Sequence, residues 1–98
     1  PFTIGEIMFM RLEKINEEGK EEFINLILKG NTLLKTWGIE GENPVSITEN
    51  TYFKQEIKNK KKSEEEVAKD DFNRIVKEKK QEGFKIVYFY KKIGEEEK

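Results

Sequence analysis

One indole and a run of lysines are the side chains of this chain best suited to holding a ligand. Trp37, the only tryptophan, stands in Lys35-Thr36-Trp37-Gly38-Ile39. A flat ring beside a cation could stack on a sugar or a base while the ammonium group neutralises phosphate. The same ring could instead fill a core, because an indole buries a large area and its N–H readily finds a partner. Lys54, Lys58, Lys60, Lys61 and Lys62 form the densest basic run, interrupted by Glu56. If that segment is extended, Lys54, Lys58, Lys60 and Lys62 share one face and could track a phosphate backbone. The competing reading is an edge strand that lysines keep from aggregating. Base reading is usually the work of Arg, and this chain has only Arg11 and Arg74, so any nucleic-acid contact should have little sequence preference.

Other chemistries find little support. Glu64, Glu65, Glu66, Asp70 and Asp71 could chelate a hard cation, but they crowd a helix start, where acids favour the dipole, and no Asp-rich loop with a central Gly follows. With His 0 and Cys 0 there is no imidazole or thiolate catalysis, zinc finger or disulfide framework. Gly38-x-x-Gly41 opens no helix and no Gly-Lys-Ser/Thr follows, so it is not a phosphate loop. Composition therefore argues against an enzyme and implies neither cofactor nor metal. The net charge of −1 means that any polyanion contact must be local.

Positioning these residues requires a fold, and 98 residues suffice for one small core. Charged residues make up 40% and hydrophobic ones only 35%, yet Phe 7 and Tyr 3 supply bulk that disordered chains lack. The expectation is a single domain over 1–98, with its core at about 6–90 and a charged tail at 91–98. No apolar run approaches the roughly 18 residues that span a bilayer, and Pro1 to Met10 carries no basic leader. That implies an intracellular protein, cytoplasmic or nuclear, with no membrane partner. A start at Pro1 rather than Met reads as a piece of a longer protein.

Ile7 to Ile15 is rich in β-branched and long apolar residues, with Met8, Met10 and Leu12 at period two, and predicts a strand ending in the turn Asn16 to Gly19. Glu22 to Lys29 places Ile24, Leu26 and Leu28 on one face, then meets Gly30-Asn31, a favoured hairpin loop, so Leu33 to Ile39 returns antiparallel. A ragged Val45 to Asn50 precedes a fourth strand over Thr51 to Lys58, with Phe53 and Ile57 alternating. Ser63 and Glu66 form a capping box that starts a helix, and Val67, Ala68, Phe72, Ile75 and Val76 give it one apolar stripe. Gly83 offers the stop. Phe84 to Tyr90 is apolar or aromatic at six of seven positions and predicts a strand partly covered on both faces. The order β-β-β-β-α-β makes an α+β fold: an antiparallel sheet of about five strands with one helix packed on it.

Lys35-Thr36-Trp37-Gly38-Ile39-Glu40-Gly41 at a strand end, a basic segment, and a helix ending Lys77-Glu78-Lys79-Lys80-Gln81-Glu82-Gly83-Phe84 together resemble the WGR domain. That family carries Trp-Gly-Arg-x-Gly at a strand end and Lys-x-x-x-Gly-Tyr close to its helix, on a small antiparallel sheet flanked by a helix. Ile39 stands where the family has Arg, and Phe84 where Tyr is usual. In poly-ADP-ribose polymerases that carry the module, the Trp stacks on a sugar at a DNA end and the Arg couples the module to neighbouring domains. The resemblance implies a non-catalytic DNA contact at Trp37 and Gly38, with Lys79 added from the helix-end motif. Arg-dependent contacts have no counterpart, since Ile has no donors.

The expected nucleic-acid-binding set is thus Trp37, Gly38, Lys35, Lys54, Lys58 and Lys79. Hairpin register decides whether the indole is available. A two-residue Gly30-Asn31 loop sets Ile24 opposite Trp37, on the Ile24-Leu26-Leu28 face; a three-residue loop sets Asn25 opposite Trp37 and turns it to the other side. The alternative function is a protein–protein or interdomain module in which Trp37 and Ile39 contact another domain of the parent protein.

Overall fold

The computed structural model describes residues 2, 3, 6–92, 96 and 97. Among them are seven strands and one α-helix: β1 (Phe2–Thr3), β2 (Ile7–Ile15), β3 (Glu21–Lys29), β4 (Thr32–Ile39), β5 (Ser46–Thr51), α1 (Glu64–Gln81), β6 (Lys85–Lys92) and β7 (Glu96–Glu97). β5, β4, β3, β2 and β6 form, in that order, one antiparallel sheet, while β1 pairs with β7 separately. The fold is α+β.

Period-two patterning becomes burial on one face. Met8, Met10 and Leu12 of β2, Ile24, Leu26 and Leu28 of β3, and Leu33 of β4 are buried with Ala68 and Phe72 of α1. A strand that hides one face must alternate, and a register slip would turn the whole set to solvent. The two-residue hairpin fixes that register: Leu28 lies opposite Leu33 and Ile24 opposite Trp37, with Gly30 at φ +59°. α1 lies against β3 and β4. Its start is the expected capping box, with the Glu66 N–H donating to Ser63 Oγ at 3.1 Å and the Ser63 N–H donating to Glu66 Oε1 at 3.3 Å. Its end is closed by Gly83 at φ +104°, a conformation that side-chain-bearing residues resist.

Two expectations about strands need correction. The fourth strand is Ser46–Thr51, not Thr51 to Lys58. β5 is a sheet edge whose first five residues are exposed, so no apolar alternation marks it in the sequence. Pairing stops at Tyr52, where the Asn31 amide donates to the Tyr52 carbonyl at 2.8 Å, and Lys54–Glu56 forms a single 3₁₀ turn. The Phe84 to Tyr90 segment, expected to be partly covered on both faces, is more open than that: Phe84 is buried, but every residue of Lys85–Lys92 is exposed. The apolar content of β6 reflects an uncovered edge strand. Of the expected tail at 91–98, Lys91 and Lys92 belong to β6 and Glu96–Glu97 pairs with Phe2–Thr3, while 93–95 and 98 lie outside the described residues. Among the described residues no helix is long and apolar enough to cross a membrane.

Candidate nucleic-acid interface

Where β4 ends, its last inward side chains meet the last turn of α1. Lys35 lies opposite Leu26 and Trp37 opposite Ile24, so both point to the helix side of the sheet. Trp37 is half-buried and packs against the core. Lys79, Glu82 and Phe84 form the facing wall of an open groove of about 290 Å³, with Glu22 and Ile39 also lining it. The Lys35 ammonium sits 4.6 Å from the Trp37 ring centroid, within cation–π range. Four of the six expected site residues, Lys35, Trp37, Gly38 and Lys79, therefore line one groove. The indole lies on the core face without being sealed into the core.

Burial pushes the Lys35 ammonium below the ordinary lysine range, and the Lys79 charge pushes it further down; Glu82 and Glu78 act against these. Lys79 pairs with Glu82 at 3.3 Å, an i,i+3 contact on the last helical turn. A partly dehydrated cation beside a second cation is an arrangement that an anion would relieve, since each ammonium gains an opposite charge. The groove can thus offer one aromatic edge and two cations to a single ligand, with Glu22 and Glu82 limiting where its charge can sit.

Gly38 contributes backbone rather than conformational freedom. It lies opposite Phe23 on the outer face of the sheet, and a Cβ built there would meet Phe23 Cζ at 3.6 Å and the Val45 Cα at 3.7 Å, both ordinary contacts. Phe23 carries the Arg11 guanidinium 4.6 Å from its ring centroid, and Arg11 bonds Glu13 at 2.7 Å and Glu40 at 2.8 Å. Sequence reasoning misses this cluster, because it treats Arg11 only as one of two arginines. The spacing of Arg11 and Glu13, two apart on one strand face, is the signal that could find it. With two carboxylates on it, Arg11 is a strap across the outer face and does not replace the cation that Ile39 lacks.

The lysine run is not a stripe. Without an extended strand, Lys54, Lys58, Lys60 and Lys62 do not share one face. The Lys54 ammonium donates to the carbonyls of Lys60 at 2.9 Å and Lys62 at 2.6 Å, and the Lys60 ammonium donates back to the Lys54 carbonyl at 2.9 Å. Lys62 is paired with Asp70. Lys58 lines a different depression, together with Tyr52, Asp70 and Asp71. Lys54 and Lys58 are therefore apart from the Trp37 groove. Four of the five acids at the start of α1 are used locally: Glu64 accepts from the Lys54 N–H, Glu66 closes the capping box, Asp70 takes Lys62 and Asp71 takes the Tyr52 hydroxyl. Burial, aided by that bond to Asp71, pushes Tyr52 up to about 12.

Comparison with protein-family models, with curated proteins and with solved structures finds no match for this chain.

Proposed function

We propose that this domain is a non-catalytic binding module that contacts nucleic acid, DNA in the first instance, through the groove of Lys35, Trp37 and Lys79. The observation that carries the reading is the meeting of two lysines and a half-buried indole in that one groove. Phosphate would be neutralised by Lys35 and Lys79, and the accessible edge of Trp37 would take up a sugar or base. Gly38 lines the groove with its backbone, since a side chain there would point to the outer face against Phe23 and Val45. The WGR-like spacing of Lys35 to Gly41 and of Lys77 to Phe84 supports the same assignment. Absence of His and Cys from the sequence supports a binding rather than a catalytic role. Lys54 and Lys58 add at most diffuse attraction, because the Lys54 ammonium is already held by backbone carbonyls.

A second reading, contact with another domain of a parent protein through Trp37 and Ile39, draws support from Glu22 and Glu82 in the same groove, which repel a polyanion. Fluorescence anisotropy of labelled duplex, nicked and single-stranded DNA separates the two. Binding that disappears in a Lys35→Gln, Lys79→Gln double variant supports the nucleic-acid reading. Equal binding by the folded double variant removes the groove from it.

A further inference from the structure

β6 closes one side of the sheet, and five consecutive residues along it expose apolar or aromatic side chains: Ile86 38%, Val87 51%, Tyr88 52%, Phe89 48% and Tyr90 46%. The other edge, β5, reads Ser-Ile-Thr-Glu-Asn-Thr and exposes one large apolar residue, Ile47. Pairing with β2 sets Tyr88 beside Arg11 and Tyr90 beside Phe9 on the outer face, and Phe89 beside Met10 on the helix side. The uncovered apolar surface therefore lies on both faces of one strand. A partner resting on one face would leave the other untouched, whereas an added strand lies beside the side chains of both faces and also satisfies the free backbone edge.

We propose that β6 is the contact with a second copy of this chain, the two strands pairing antiparallel about a two-fold axis at Tyr90 to give one continuous ten-stranded sheet. For self-pairing, the sequence of β6 favours one register. Opposed residues of an antiparallel pair share a face, so the axis must pass through a residue and not between two. An axis at Tyr88 sets Lys85 opposite Lys91, and one at Lys91 sets that lysine against itself. Axes at Val87 or Phe89 run the ladder through Val87, where pairing with β2 already slips by a residue. At Tyr90 the regular segment from Tyr88 to Lys92 pairs throughout: Tyr90 meets Tyr90, Lys91 meets Phe89 and Lys92 meets Tyr88. Each lysine then lies against an aromatic side chain of the other copy, a favourable cation–π and stem-packing contact.

Lys91 also pairs with Glu6 at 3.0 Å, which reduces repulsion between the copies. Three half-exposed aromatic rings offer about 100 Å² each. With the lysine stems, the pairing buries on the order of 1,000 Å² over both copies, at the low end for a specific interface. The dimer should therefore form reversibly and depend on concentration.

Sedimentation velocity of the 98-residue chain across the micromolar range tests this, together with Tyr90→Lys, Phe89→Lys and Ile47→Lys variants. The expected result is a rise from one chain mass to two for the wild-type and Ile47→Lys chains, and no such rise in either β6 variant, with unchanged circular dichroism. Should a β6 variant unfold, amide exchange of the wild-type chain decides: protection across Tyr88 to Lys92 should grow with concentration. A chain that stays monomeric to the top of the range overturns the proposal. So does dissociation by Ile47→Lys, which would mean stacking of outer faces, or growth beyond two chains, which would mean β6 pairing with β5.

Discussion

Phe72 is the largest fully buried side chain, 1% exposed, and it joins α1 to the sheet core. Phe72→Ala removes the ring from a site with no access to water, and such truncations cost about 3–5 kcal/mol because a cavity adds to the forfeited transfer energy. A domain of this length has roughly 5–15 kcal/mol of stability in all, so the variant loses a substantial part of it. At about 4–8 °C per kcal/mol for a small domain, the melting temperature should fall by at least about 12 °C. Ser63→Ala provides the scale: it removes one exposed capping bond, worth about 1 kcal/mol and hence one such step. Thermal and urea melts followed by far-ultraviolet circular dichroism on both variants make the comparison. Comparable midpoints would refute the helix face and the core drawn around it.

Three further outcomes are expected. Lys35→Gln and Lys79→Gln should each lower the steepness of log affinity for DNA against log salt by roughly 0.7–0.9, as follows when one phosphate is no longer neutralised, whereas Lys54→Gln should leave that slope unchanged. Trp37→Ala should weaken binding by about 1–3 kcal/mol with little change of slope, since stacking releases no counterions; a variant that stays folded and binds as well as wild type takes Trp37 out of the site. Ultraviolet titration should show one tyrosine ionising near 12 that is absent from Tyr52→Phe. Because the unfolded chain releases that proton near about 10, stability should drop between these two pH values and drop less steeply in Tyr52→Phe.

How far the sequence is legible follows from what each element buries. β2, β3 and α1 each hide one face, so Met8-Met10-Leu12, Ile24-Leu26-Leu28 and Ala68-Phe72 carry their periods openly, and the capping box and Gly83 mark the helix ends. β5 hides neither face and leaves no pattern. β6 shows how the same signal misleads: an uncovered aromatic edge and a doubly covered strand have the same composition, and only the strand order separates them. At the candidate site, Trp37 and its Lys35 neighbour are visible from spacing along one strand. The approach of Lys79 to Lys35 is tertiary, set by how α1 crosses β4, and enters the sequence reading only through resemblance. The lysine run misleads because its apparent stripe assumes an extended backbone, where the chain instead turns and ties its ammonium groups to its own carbonyls.

The most direct test of the proposed contact uses the fluorescence of the single tryptophan. Because Trp37 lies in the groove with Lys35 and Lys79, titration with DNA at low salt should give saturable quenching, strongest for whichever of duplex, nicked or single-stranded DNA is bound best, and salt should reverse it. Emission that stays constant with all three, at concentrations where the chain is folded, would contradict the assignment of this groove to nucleic acid.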